Sequence, residues 1–237
     1  RELDDVPCVI SLDLLVHCVV TAGAAPVDKD FVTGLVDMLM QLMCLVDESS
    51  DQSFFNRPDN PAGFGDVDEY ETEEVAGAAA VNMERVAQML PVDLVAAAAM
   101  PRMAQFSASD SWQMRRAAHF TLALISEGCA DEIFPVLHSV VPHVANSVTD
   151  PHPRVRYASL HSLSQLITDF AEEEDVEEGV PTFSVRFGAS IIEKVHSILS
   201  ENAQYPRVLA MALYALTRLC RLGKCNPEVA APLAPQV

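Results

Sequence analysis

The residues able to do chemistry are few in kind and poorly spaced for catalysis. Seven histidines are scattered, and His138 and His143 stand five apart, which does not place them on one helix face for a shared metal. The six cysteines (Cys8, Cys18, Cys44, Cys129, Cys220 and Cys225) include no CxxC, and the pair Cys220 and Cys225 has no matching second pair. They read as buried free thiols of a reduced compartment. GxSxG, P-loop, HExxH and Rossmann glycine patterns are all absent from the sequence. Carboxylates are plentiful, with 34 acids against 15 bases and a net charge of −19. Their placement decides their use. The stretch 47–74 holds ten acids and one base, and 172–178 holds six acids, so the two stretches carry −15 and leave −4 for the rest. Acids in such loops lack the burial and fixed geometry that tune a catalytic pair. No enzyme, cofactor or metal is expected. Such a negative charge also argues against direct nucleic-acid binding. What these carboxylates can do is attract a basic protein segment over a distance, an effect that salt weakens. Asp66, Asp68, Glu69 and Glu71 are the candidate residues, and Phe54, Phe55 and Phe64 could dock this loop on the scaffold.

The elements that would position such loops are helical. Alternating strand patterns are rare, and apolar residues recur at three- and four-residue intervals. The spacing predicts helices at about 6–21, 28–46, 70–89, 92–106, 111–127, 131–147, 154–170, 187–200 and 206–222, with stop signals at Gly128, at 149–153 and at 202–206. No apolar run approaches the roughly 18–20 residues of a membrane span, so no membrane is expected. The chain starts without Met and reads as an internal part of a longer protein.

A repeat ties these helices together. RRAAHFTLALIS from Arg115 aligns with RYASLHSLSQLI from Arg156: at one constant offset Ala117 falls on Ala158, Leu122 on Leu163 and Ile125 on Leu166. VLAMALYALTRL gives a third copy, in which Val208 to Leu216 reproduces the spacing of Val155 to Leu163. This second offset is longer, and the extra length falls in the acidic 172–178 stretch and its neighbours. Two helices per period of about 40 residues is the HEAT or armadillo class. The expected fold is all-α: a HEAT-repeat α-α superhelix of about five repeats. It should be a single solenoid over 1–237 with acidic insertions at 47–74 and 172–186. The basic turn DPHPR at 150–154 fits as a corner between helices. Pro151 and Pro153 end one helix, Asp150 caps the next, and Arg156 is expected to pair with a neighbouring repeat. One repeat earlier Asp110 and Arg116 stand at the same spacing as Asp150 and Arg156, whereas the hydrophobic register prefers Arg115 as the counterpart. Trp112 opens a helix at a repeat boundary and is expected to pack between repeats.

Certain residues carry a more specific likeness. SWQMRRAAHFTLALISEG followed by DPHPRVRYASLHSLSQLITDFA resembles the importin beta (karyopherin beta) superfamily, nearest its karyopherin beta-3, or importin five, type. DEYETEEVAGAAAVNMERVAQML looks like the acidic linker and helix that precede the tryptophan repeat there, and VTGLVDMLMQLMCLVDE resembles the helix before it. The stretch 172–186 departs from the pattern by replacing a short turn. The resemblance implies nuclear transport between cytoplasm and nucleus. Basic cargo would bind the concave surface, Ran GTPase in its GTP form would release it, and nucleoporin FG segments would bind between outer helices. Small rotations between repeats would add along the solenoid and couple these partners. The alternative is a HEAT scaffold subunit of a multiprotein assembly, such as that of a phosphatase.

The concave wall then takes its residues from the faces opposite the buried stripes. On the helix from Arg154 these are Tyr157, His161, Ser164, Gln165 and Thr168. One repeat earlier they are Arg116, Phe120 and Glu127, and one repeat later Tyr214, Arg218 and Arg221.

Overall fold

The computed structural model describes residues 2–21, 28–48, 55, 74–171, 182–199 and 205–222. Among them every regular element is helical, and they form two compact units. The first unit takes its described residues from 2–48 and 74–133. The second takes Phe55 and the described residues from 134 onward.

In the first unit, α1 (Glu2–Thr21), α2 (Lys29–Leu42), α3 (Glu74–Met89), α4 (Val92–Ser107), α5 (Trp112–Ile125) and the short α6 (Ala130–Ile133) follow in order. α2 packs on α4, while α1 packs on α3 and α3 on α5. Two layers result, with α2 and α4 in one and α1, α3 and α5 in the other. Short connections join α3 to α4 and α4 to α5 across the layers, as antiparallel helix pairs require. The apolar spacing explains the faces. Val32, Leu35, Val36, Leu39 and Met40 make one buried stripe along α2. In α3, Ala76, Ala79, Ala80 and Ala87 are buried, and small side chains let neighbouring helices approach closely. Gly128 marks a close approach of backbones: a Cβ there would stand 2.5 Å from the Ala87 carbonyl oxygen, so only glycine fits.

In the second unit, a 3-10 turn (Phe134–Val136) leads into α7 (Leu137–Ser147), followed by α8 (Pro153–Ala171), α9 (Phe183–Leu199) and α10 (Pro206–Leu222). α7 packs on α9 and α8 on α10, while α7–α8 and α9–α10 close the two pairs. The layered arrangement of the first unit recurs. Val208, Met211, Ala212, Ala215 and Leu219 form the buried stripe of α10.

Several expected boundaries move: the first helix begins at Glu2 rather than about 6, and the second ends at Leu42 rather than about 46. The helix expected over 131–147 is interrupted at Phe134–Val136. Pro135 offers no N–H and its ring clashes with the carbonyl four residues back, so the turn tightens and a new helix starts at Leu137. The helix expected from 187 begins at Phe183 instead. Phe183 and Phe187 lie about one turn apart with ring centroids 5.1 Å apart, edge to face, and both are buried. That apolar pair extends the helix into the stretch 172–186, of which 172–181 lies outside the described residues.

The described thiols are not uniformly buried. Cys129 is buried and Cys44 and Cys220 are half-buried, whereas Cys8 and Cys18 are exposed on α1. Among the described side chains of α1, Leu12 and Val16 are the buried ones, and the two thiols lie off that stripe. Burial pushes the Cys44 thiol up to about 11. Cys225 lies outside the described residues. None of the described helices is long and apolar enough to cross a membrane.

Candidate partner-binding surface

The corners carry the best-defined polar structure among the described residues. Before α8, Asp150 Oδ1 accepts the backbone N–H of His152 (2.8 Å), closing a side-chain turn. Arg156 reaches back from the first turn of α8 and donates to the carbonyl oxygens of Asp150 (2.8 Å) and Pro151 (3.1 Å). The same device appears one repeat earlier, before α5. Ser109 Oγ accepts the N–H of Ser111 (3.1 Å), and Arg115 donates to the carbonyls of Ser109 (3.0 Å) and Asp110 (2.9 Å). Carbonyls left over at a helix end need donors, and a guanidinium supplies several in one fork. Arg115 is therefore the counterpart of Arg156, as the hydrophobic register indicates. Arg156 also lies over the ring of Tyr205, 5.3 Å from its centroid, at the start of α10. Trp112 is buried and donates from Nε1 to Glu48 Oε1 (3.1 Å), tying the start of the acidic stretch to α5.

Several residues expected on a solvent-facing wall are buried. Arg116 is 3% exposed, donates to the Met43 carbonyl at the end of α2 (3.1 Å) and lies over Phe120, 4.7 Å from its centroid. Phe120 is fully buried. Tyr157, which takes the place of Arg116 one repeat later, is also buried, with Arg207 over its ring at 5.2 Å. Ser164 is buried and its carbonyl accepts the Thr168 hydroxyl (3.0 Å). The physical reason is shared by both units. α5 packs on α2, α3 and α4, and α8 packs on α7, α9 and α10, so neither helix has a wide free face. Its polar positions are filled by small side chains, of which Ser159 donates its hydroxyl to the Arg156 carbonyl (2.8 Å), or by arginines placed over aromatic rings.

What remains accessible is a narrower set. Glu127 is exposed at the end of α5. Gln165 and Asp169, bonded to each other at 2.8 Å, lie part-exposed near the end of α8. On α10, Arg218 donates to the Tyr214 hydroxyl from Nε (2.8 Å), and Arg221 is exposed in the last turn. His161 is part-exposed as a residue, yet its Nδ1 is enclosed, and burial pushes its imidazole down to about 4, so it is neutral at ordinary pH. Asp66, Asp68, Glu69 and Glu71 lie outside the described residues.

One accessible residue escapes inspection of the faces around Arg154. Glu84 on α3 is half-buried, and burial, with the negative charge of Glu127 as a second cause, raises its carboxyl above the usual carboxylate value. The two acids thus repel each other between α3 and the end of α5, an arrangement that favours an incoming cation. The repeat itself could have found them: Glu84, Glu127 and Asp169 follow one another at nearly equal intervals of about one repeat.

Residues 112–166 match the HEAT-like repeat family. Over 89 residues, 38% of this chain, the sequence is 35% identical to Importin subunit beta-3 of Saccharomyces cerevisiae, 8% of whose length is covered. The fold matches Kap121p bound to RanGTP with a TM-score of 0.71 at 23% identity, over 94% of this chain and 20% of that one. It matches a Kap121p mutant, in which two aspartates and a glutamate are replaced by lysine, with a TM-score of 0.76 at 22% identity over 98% of this chain and 21% of that one. The layered helix pairs, the repeated corner and the repeat-family match define a HEAT-repeat α-solenoid. Within that class the chain is similar, over the stretches given above, to Importin subunit beta-3 and to Kap121p. It spans about a fifth of the length of the solved karyopherin chains it matches.

Proposed function

We propose that this chain is a segment of a nuclear transport receptor that carries basic protein cargo and moves between cytoplasm and nucleus. The 35% identity with Importin subunit beta-3 carries the reading. Kap121p has been solved bound to RanGTP, to Nup53p and to Pho4p, and partners of these kinds are proposed for the protein that holds this chain: the Ran GTPase, a nucleoporin and a protein cargo. Cargo lysines or arginines bind the accessible acids, Glu84 and Glu127 in the first unit and Asp169 with Gln165 in the second. The two intervals that separate Glu84, Glu127 and Asp169 are the same as those between the three acidic residues replaced by lysine in the Kap121p mutant. A cation between Glu84 and Glu127 relieves the repulsion that helps to raise the Glu84 carboxyl. Asp66, Asp68, Glu69 and Glu71 add long-range attraction, and Tyr214 and Arg218 face cargo from α10. Arg116 and Tyr157 act through packing.

The test is capture of basic nuclear-localisation peptides by the full-length protein, with and without Ran-GTP, at two salt concentrations. Salt-sensitive capture that Ran-GTP releases supports the receptor. Capture indifferent to Ran-GTP, together with stable co-purification of a phosphatase, points to the scaffold alternative instead.

A further inference from the structure

Phe55 stands apart from the helices of the second unit along the chain, between α2 and α3, yet it belongs to that unit. It is 5% exposed, and its ring lies against that of Tyr205, with centroids 4.9 Å apart and planes tilted by 56°. Tyr205 is the residue before Pro206, which opens α10, and its carbonyl accepts the N–H of Leu209 (3.2 Å) at the start of that element. Another neighbour of Tyr205 is the corner guanidinium of Arg156. A continuous stack results: the carbonyls of Asp150 and Pro151, then Arg156, then Tyr205, then Phe55.

A buried phenylalanine delivered from outside the repeats is a specific arrangement. Tilted aromatic pairs at this spacing gain from the ring quadrupoles as well as from burial, and the cation beside Tyr205 polarises the same ring. We propose that the Arg156–Tyr205 corner is a docking site for an aromatic side chain carried on an acid-rich segment, and that Phe55 is its built-in occupant. The partner is thus a segment of this same chain. Asp59, Asp66, Asp68, Glu69, Glu71 and Glu73 follow Phe55 before α3 begins. The described residues of the second unit, to which Phe55 belongs, hold seven Arg and Lys against three Asp and Glu.

The test uses the full chain, the variant Phe55→Ala and a synthetic peptide covering residues 49–60. Hydrogen exchange at the Leu209 amide reads the corner, while fluorescence of Trp112 reports that the first unit stays folded. Phe55→Ala is expected to speed exchange at Leu209 by about tenfold. Adding the peptide restores the slow exchange, and the same peptide carrying Phe55→Ala does not. In Tyr205→Leu the exchange is fast and the peptide leaves it so. Unchanged exchange at Leu209 in Phe55→Ala overturns the proposal, and so does equal action of the two peptides.

Discussion

The corner before α5 and the corner before α8 use one backbone solution with different side chains. In each, a side-chain oxygen accepts an N–H two residues on, and an arginine on the coming helix gathers two carbonyls. The oxygen belongs to a neutral Ser109 in one and to Asp150 in the other. Prolines stiffen only the second corner, at Pro151 and Pro153. The position following the arginine differs most: Arg116 lies over a ring in the first unit, and in the second Tyr157 supplies the ring beneath Arg207. The cation and the aromatic partner exchange places while the burial stays. Backbone carbonyls at a corner impose the same demand in both repeats, whereas the buried position beyond it only has to be filled and electrostatically satisfied. A position can therefore keep its role in packing while its residue type changes completely.

Breaking the dissimilar part should have the largest effect. Arg116→Ala leaves the buried Met43 carbonyl without this donor and empties the space over Phe120, at a cost of about 3 kcal/mol to the first unit. Denaturant unfolding followed by Trp112 fluorescence reads that unit directly, and a shift under about 1 kcal/mol would contradict the role assigned here. Gly128→Ala drives a methyl group into the Ala87 carbonyl and should cost about 2 kcal/mol by the same readout.

The shared part can be compared like for like. Arg115→Ala and Arg156→Ala each remove two carbonyl contacts and should cost about 1–2 kcal/mol. The second should cost more, because Arg156 also lies over Tyr205. Trp112 fluorescence follows the first, and hydrogen exchange along α8 follows the second. Equal losses would mean that the ring contact adds nothing.

Acid should separate the units as well. His161 titrates near 6.5 when unfolded and at about 4 in the fold. The unfolded chain takes up the proton first as pH falls, so the stability is complete above 6.5 and declines between 6.5 and about 4. The loss is on the order of 2 kcal/mol in the second unit. His161→Gln should flatten that part of the profile, measured by denaturant unfolding at pH 7 and pH 5.

The smallest effect concerns binding. Glu127→Gln should weaken capture of a basic peptide by the full-length protein about threefold and lower its salt dependence, because an exposed ion pair contributes little. Unaltered salt dependence would remove Glu127 from the surface proposed for cargo.

Much of this was legible in the residues. The helices around the DPHPR corner, the match of one repeat to the next and the choice of Arg115 over Arg116 all follow from apolar periodicity and turn chemistry, which are local properties. The wall was less legible. A helix wheel on α8 gives Tyr157 and Ser164 a polar side, but it does not reveal that α7, α9 and α10 cover most of that helix. Glu84 was missed because the faces were read around Arg154 rather than along the repeat period. The early start of α9 was missed because the acidic run drew the boundary past Phe183.

By itself, then, the sequence determined an all-helical repeat, the position of its corners and the segregation of its charge, since these depend on short spacings along one chain. Only the tertiary structure decided which polar residues are covered, which acids repel each other and where Phe55 lies. Those outcomes depend on residues far apart in sequence, such as Arg116 with Met43, Glu84 with Glu127 and Phe55 with Tyr205, and no local pattern encodes such pairings.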